Sequence, residues 1–304
     1  VTSPAARRTL RPPAGYRLAA SVRALTFSPY DPCARIAAGT FWWATRTPDG
    51  PATLALRLEA GELTAEGYGP GAGWVVERAD RIAGLCDDLT GFAALAAAHP
   101  LVARLAHTHH GLRMPATGQV FPRLLRAVFE QKVTGKEAYR AYAATVRHFR
   151  EPAPGPLQPL LLPPEPAAVA ATPYWVFHPF GVEQRRADTL RRAAAVADRL
   201  ERCADSAEAT RRLTAIPGIG PWTAAEVVRI AYGDPDAVSV GDYHVPNTVA
   251  WALAGELRGD DARMLALLAP FRGHRGRVCV LLEAAGVQAP KYGPRAPIRS
   301  FARY

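Results

Sequence analysis

LTAIPGIGPWTAAEVVRIAYGDPDAVSVGDY, running from Leu213 to Tyr243, decides how the rest of the chain is read. Pro217 ends one helix, and Gly218 and Gly220 permit positive φ and close backbone approach. Ile216 and Ile219 pin the turn to a core, and Pro221 presets the first turn of the next helix. A helix N-terminus built this way presents backbone N–H groups without intrahelical partners, which suits a phosphate whatever the base sequence. A plain Gly-Pro turn between helices is the competing reading, but too many positions match for that. Beyond the hairpin helix lie the loop Gly233-Asp234-Pro235-Asp236 and then Asp242, placed where an N-cap belongs. The helix behind it buries Val249, Ala250 and Leu253. Capping alone accounts for an Asp there, and the same geometry and helix dipole keep a carboxylate ionised.

The bulk properties suit such a phosphate grip. The chain has 304 residues, 49% of them apolar, and a formal net charge of +10. It is globular, long enough for two domains, and its basic surplus favours nucleic acid over an anionic membrane. No run approaches the roughly 18 apolar residues of a membrane span, and the arginines of the N-terminus precede no apolar signal segment. A soluble intracellular protein is expected. Cys33, Cys86, Cys203 and Cys279 lack CxxC spacing and read as ordinary thiols. His107, His109 and His110 have no local carboxylate or Cys and read as solvated loop residues rather than metal ligands.

Read outward from the hairpin, the fold is α+β. Residues 1–16 are Pro/Arg-rich and read as a flexible tail. Residues 17–88 read as an antiparallel β-rich domain, with strands expected at Leu18–Phe27, Thr40–Thr47, Thr53–Ala60 and Leu63–Tyr68. A Thr47–Pro51 turn folds the chain back between the second and third of these. Trp42 and Trp43 fall on opposite faces. Residues 89–295 are helical, and 296–304 form a C-terminal tail. Phe121, Leu124, Leu125, Val128 and Phe129 give one helix an apolar face. Thr134 and Glu137 make a capping box that starts the next, which leaves Gln131 and Lys132 at the junction. They are either exposed turn residues or a rigid wedge suited to a duplex. Residues 151–166 are a proline-rich connector. Tyr174–Phe180 is an aromatic cluster in a non-helical segment, of core or pocket character. Gly181–Arg202 is an amphipathic helix, and Asp205 with Glu208 starts the helix that enters the hairpin.

Leu213-x-x-Ile216-Pro217-Gly218-Ile219-Gly220-Pro221-Trp222-Thr223-Ala224 resembles the helix-hairpin-helix motif, h-P-G-h-G-x-x-x-A. With the Gly/Pro-rich loop and Asp242 it resembles the HhH-GPD superfamily of DNA glycosylases, and within it the alkylated-base branch of 3-methyladenine DNA glycosylase II. The β-rich N-terminal unit, Gln131-Lys132 at a helix junction and Pro270–Arg275 extend the likeness over most of residues 17–290. The resemblance implies a helical core of two lobes, with the hairpin at 213–224. It also implies excision of damaged, N-alkylated purines from double-stranded DNA, with Asp242 as the catalytic carboxylate. By the same resemblance Gly218, Gly220, Thr223, Gln131 and Lys132 bind DNA. Trp222, Tyr174, Trp175, Phe177 and Glu226 line the base pocket. The carbonyls of Thr214, Ile216 and Ile219 hold a structural potassium or sodium ion. No other cofactor is required, and a monomer in a bacterial cytoplasm, at the nucleoid, is expected.

Three departures qualify the resemblance. Bifunctional members carry a lysine where Trp222 stands, and an indole forms no Schiff base, so a monofunctional enzyme without lyase activity is implied. Lys132 stands where an apolar wedge is usual, and Glu226 where the best-known relatives have an aromatic pocket residue. The alternatives are a glycosylase for another lesion (hypoxanthine, uracil or a bulky adduct) and a non-catalytic DNA-binding protein that keeps the hairpin for grip.

Overall fold

The computed structural model describes residues 3–290. The chain begins with strand β1 (Ala6–Leu10), helix α1 (Leu18–Val22) and the strands β2 (Ala34–Ala37), β3 (Thr40–Thr47), β4 (Gly50–Glu59) and β5 (Glu62–Tyr68). The five strands form one antiparallel sheet in the order β1-β5-β4-β3-β2. Thr47 shapes the β3–β4 turn, its hydroxyl donating to the Gly50 carbonyl at 2.8 Å and accepting the Asp49 amide at 3.2 Å. Helices α2 (Ala72–Glu77) and α3 (Ala79–Ile82) join α1 over one face of the sheet.

Two expectations for this region are corrected. Residues 1–16 are no loose tail throughout, because Ala6–Leu10 pairs with β5 as an edge strand. Its arginines hide the strand in sequence, since charged residues at an edge discourage pairing with other chains. Leu18–Phe27 is not a strand: Leu18, Val22 and Leu25 fall on one face of a helical turn and are all buried. The C-terminal tail assigned to 296–304 and the last residues of the 89–295 region lie outside the described residues.

The helical part follows as α4 (Phe92–Ala96), α5 (Pro100–Thr108), α6 (Phe121–Phe129), α7 (Gly135–Phe149), α8 (Pro166–Ala171) and α9 (Tyr174–Phe177). Then come α10 (Gln184–Ala195), α11 (Ala197–Glu201), α12 (Ser206–Thr214), α13 (Pro221–Ala231), α14 (Val245–Ala254), α15 (Asp261–Leu268) and α16 (Arg275–Ala284). Thr134 and Glu137 form the expected capping box at α7, and Asp205 caps α12 through the Glu208 amide at 2.7 Å. Tyr174–Phe180 is helical after all, α9 running into a single 3₁₀ turn. The helix expected over Gly181–Arg202 breaks at Val196.

These helices make two apolar cores. One joins α6, α7, α10, α12 and α13, and the other joins α4, α5, α14, α15 and α16. The chain crosses between them from α13 to α14, so the segment carrying Asp242 lies on the seam. The proline-rich connector does not extend away, and its last residue, Pro166, opens α8. Ala153, Leu160 and Leu162 pack on Ala44 and Trp42, on the sheet face opposite α1–α3. Arg46 fastens it by donating to the Pro163 carbonyl at 2.8 Å and pairing with Glu151. This second cover explains why residues 52–56 of β4 are buried on both faces.

Candidate active site

The hairpin joins α12 to α13 and is closed from within. The Ile219 amide donates to the Ile216 carbonyl at 3.0 Å, and Ile219 is buried against the first core. Gly218 has φ +98°, and a Cβ there would stand 2.1 Å from the Thr189 hydroxyl, so only glycine fits. Gly220 caps α13 in an extended conformation, with no side chain bonded to the helix mouth. Pro221 has no N–H and the Ala224 amide donates to the Gly220 carbonyl at 3.0 Å, so the Trp222 and Thr223 amides are left for an outside acceptor. Of the three carbonyls expected to hold a cation, that of Ile216 keeps a second lone pair after accepting the Ile219 amide. Main-chain oxygens are the donor type that suits potassium or sodium.

Gln131 joins the α6–α7 junction to the hairpin. Its side-chain N–H₂ donates to the Gly218 carbonyl at 3.0 Å and to the Thr223 hydroxyl at 2.9 Å. Lys132, next to it, is exposed and left-handed at φ +55°. Four of the expected DNA-binding residues, Gly218, Thr223, Gln131 and Lys132, therefore form one continuous edge.

Asp242 reaches the seam from the α14 side and Trp222 from the first turn of α13. The Trp222 indole N–H donates to Asp242 Oδ2 at 2.8 Å. The other oxygen, Oδ1, accepts the amides of His244 and Val245 at 2.7 and 2.9 Å. His244 precedes the first helical residue but makes no side-chain cap bond, so it is Asp242, two residues upstream, that caps α14 through these two amides. It stands at the positive end of the α14 dipole. The turn is held by Gly241 at φ +90°, whose amide donates to Asp261 Oδ1 at 3.0 Å.

The remaining residues expected in the base pocket are differently placed. Phe177 is completely buried in the first core, whereas Trp175 is 62% exposed and stacks edge-on against Tyr174. Glu226, one turn beyond Trp222, is buried in an ionic cluster. It accepts from Arg123 at 2.5 Å, from Arg229 at 2.7 Å and from the Ser239 hydroxyl at 2.5 Å. Burial alone would raise its carboxyl, but Arg229 and Arg123 hold it down at about 2. Sequence reading missed Arg123, Arg229 and Ser239. The available signal was Glu226 itself, a charge within the apolar run Ala224–Val228 that demanded a buried partner.

Behind the site, burial pushes the Cys279 thiol up to about 12. Among the described residues no three His, Cys, Asp or Glu side chains converge as a metal site, and no helix is long and apolar enough to cross a membrane.

No protein-family model and no curated protein matches the chain. Solved structures do. A 3-methyladenine DNA glycosylase from Archaeoglobus fulgidus superposes with a TM-score of 0.76 at 16% identity, over 91% of this chain and 98% of that one. The 8-oxoguanine glycosylase/lyase of Clostridium acetobutylicum gives 0.69 at 10% identity, over 91% and 95%. A 3-methyladenine DNA glycosylase of Schizosaccharomyces pombe, in complex with abasic DNA, gives 0.53 at 18% identity, over 65% and 97%. The chain has the fold of these DNA glycosylases.

Proposed function

We propose that this protein is a monofunctional DNA glycosylase that removes damaged bases, N-alkylated purines foremost, from duplex DNA. The observation that carries the reading is the pair Asp242–Trp222: a carboxylate at a helix N-terminus, steadied by an indole N–H, beside a phosphate-binding hairpin. The hairpin amides and the basic surface would hold the backbone, with the Gln131–Lys132 turn entering the duplex as the damaged nucleotide leaves the stack. Trp222, with Tyr174 and Trp175 at the rim, would offer aromatic faces to a cationic base.

In the reaction the C1′–N bond breaks and its electron pair leaves with the base, which for an N-alkylated purine neutralises the positive charge of the ring. The Asp242 carboxylate stabilises the cation developing on the sugar. Water then forms the new C1′–O bond and gives up a proton, to Asp242 or to solvent. A potassium or sodium ion held by the Thr214, Ile216 and Ile219 carbonyls would supply positive charge beside the bound phosphate.

The test is base release from duplexes carrying 3-methyladenine, 7-methylguanine, hypoxanthine, uracil or 8-oxoguanine. The expected result is release of alkylated purines, abolished in Asp242→Asn while DNA binding persists. Release by Asp242→Asn at the wild-type rate, or no release of any base by the wild type, overturns the reading. Borohydride trapping is expected to give no covalent adduct, and an adduct would mean that a lyase activity is present.

A further inference from the structure

Glu226 is an expensive residue to bury in the middle of a helix whose neighbours are Ala224, Ala225, Val227 and Val228. A buried ion cluster is seldom justified by stability alone, because apolar residues of similar volume commonly serve as well. What a fully bonded carboxylate gives that an apolar side chain cannot is direction. The directions of Glu226 are specific. Two of its partners, Arg123 on α6 and Arg229 on α13, belong to the first core. Arg123 is itself doubly fixed, donating from Nε to the Glu226 carbonyl at 3.0 Å and from Nη1 to Glu130 at 2.9 Å. The third partner, Ser239, belongs to the crossing between the lobes, three residues before Asp242.

Ser239 is bonded at both ends. Its hydroxyl donates to Glu226 Oε1 at 2.5 Å, and its carbonyl accepts the Asp242 amide at 3.2 Å. It is buried, so water does not compete for either bond. The same short segment is tied on its other side by the Gly241 amide to Asp261 and by the Asp242 carboxylate to Trp222. Of these ties, only those through Ser239 and Trp222 reach α13, and both start from one face of that helix, a turn apart. Trp222 fixes the carboxylate and Glu226 fixes the backbone that carries it.

We propose that Glu226 is a positioning residue for Asp242, acting through Ser239. This rests on the reading of Asp242 as the catalytic carboxylate. Glu226 then takes no part in contacting the base. Its carboxylate is saturated by Arg123, Arg229 and Ser239, and base preference is set by other groups. The arrangement also couples grip to chemistry, because the helix whose N-terminus faces the phosphate is the helix that sets the height of the Asp242 backbone.

The test measures single-turnover base release, and separately affinity for an uncleavable abasic-site duplex, in wild type, Ser239→Ala, Glu226→Ala, Glu226→Gln and Asp242→Asn. Ser239→Ala removes one hydroxyl from a buried site and is expected to fold. Misplacing a catalytic group by a fraction of an ångström should slow its release step by about tenfold or more, with affinity for the abasic duplex unchanged. Glu226→Ala should fall likewise. Glu226→Gln, which keeps an acceptor for Ser239, should recover much of the rate. A Ser239→Ala enzyme as fast as wild type overturns the proposal, as does a loss in affinity that accounts for the whole effect. If Asp242→Asn is as fast as wild type, the functional reading itself fails.

Discussion

The side-chain amide of Gln131 lies 3.0 Å from the carbonyl of Gly218, across a sequence separation that joins the α6–α7 turn to the hairpin. Two loops that would each be mobile alone are thereby one rigid edge. Gln131→Ala should leave the fold intact and weaken DNA binding about fivefold, the equivalent of roughly one hydrogen bond of ordinary net strength. Fluorescence anisotropy with an undamaged duplex reads this directly, and unchanged affinity would show that the two loops act independently.

Gly218 tests the hairpin from inside. An alanine there is strained by its positive φ and collides with Thr189, so Gly218→Ala should cost about 1–3 kcal/mol in urea unfolding. Adding Thr189→Ala removes the hydroxyl and methyl that an alanine at 218 would meet, leaving the Thr189 Cβ contact at 3.1 Å and the backbone strain. The double variant should therefore recover part of the loss, and a strictly additive cycle would exclude the contact.

Lys132 is left-handed without being glycine. Lys132→Gly should raise unfolding stability by up to about 1 kcal/mol, since the left-handed penalty disappears. If the side chain meets DNA, the same variant binds more weakly. A stability gain with affinity unchanged would leave Lys132 as an ordinary surface residue.

Trp222→Phe keeps an aromatic face and removes the indole N–H from Asp242. Base release should slow by about tenfold, as expected for one hydrogen bond to a charged group. Affinity for abasic DNA should change little. A rate equal to wild type would show that the two helix amides hold Asp242 unaided.

Acid should weaken the Glu226 cluster. The folded carboxyl is depressed from 4.5 to about 2, so its contribution is fully present above about 4.5 and is lost as pH falls toward about 2. A shift of that size is on the order of 3 kcal/mol. Urea midpoints followed from neutral pH down to about 3 should fall more steeply for wild type than for Glu226→Gln. Parallel curves would mean that the cluster does not titrate in this window.

How much of this was legible in the sequence depended on where each constraint acts. The hairpin could be read because prolines and glycines fix the backbone locally, and the α7 capping box because Thr134 and Glu137 are three residues apart. β3 could be read from a run rich in aromatic and β-branched residues. β1 could not, since an arginine-rich edge strand differs little from a tail. Phe177 could not be told from a pocket aromatic, because core and pocket draw on the same side chains. Least visible was the environment of Glu226. Arg123 lies 103 residues earlier in the chain, and only the folded packing of α6 on α13 brings the two together.

The proline-rich connector has a consequence for how the molecule comes apart. Because Ala153, Leu160 and Leu162 cover the far face of the sheet, no single cut of the backbone separates strands from helices. A fragment ending at residue 88 would bare Ala44 and part of Trp42, and a fragment beginning there would carry an apolar strap with nothing to grip. Heat should therefore melt the whole protein in one cooperative transition, and limited proteolysis should give either the intact chain or small peptides.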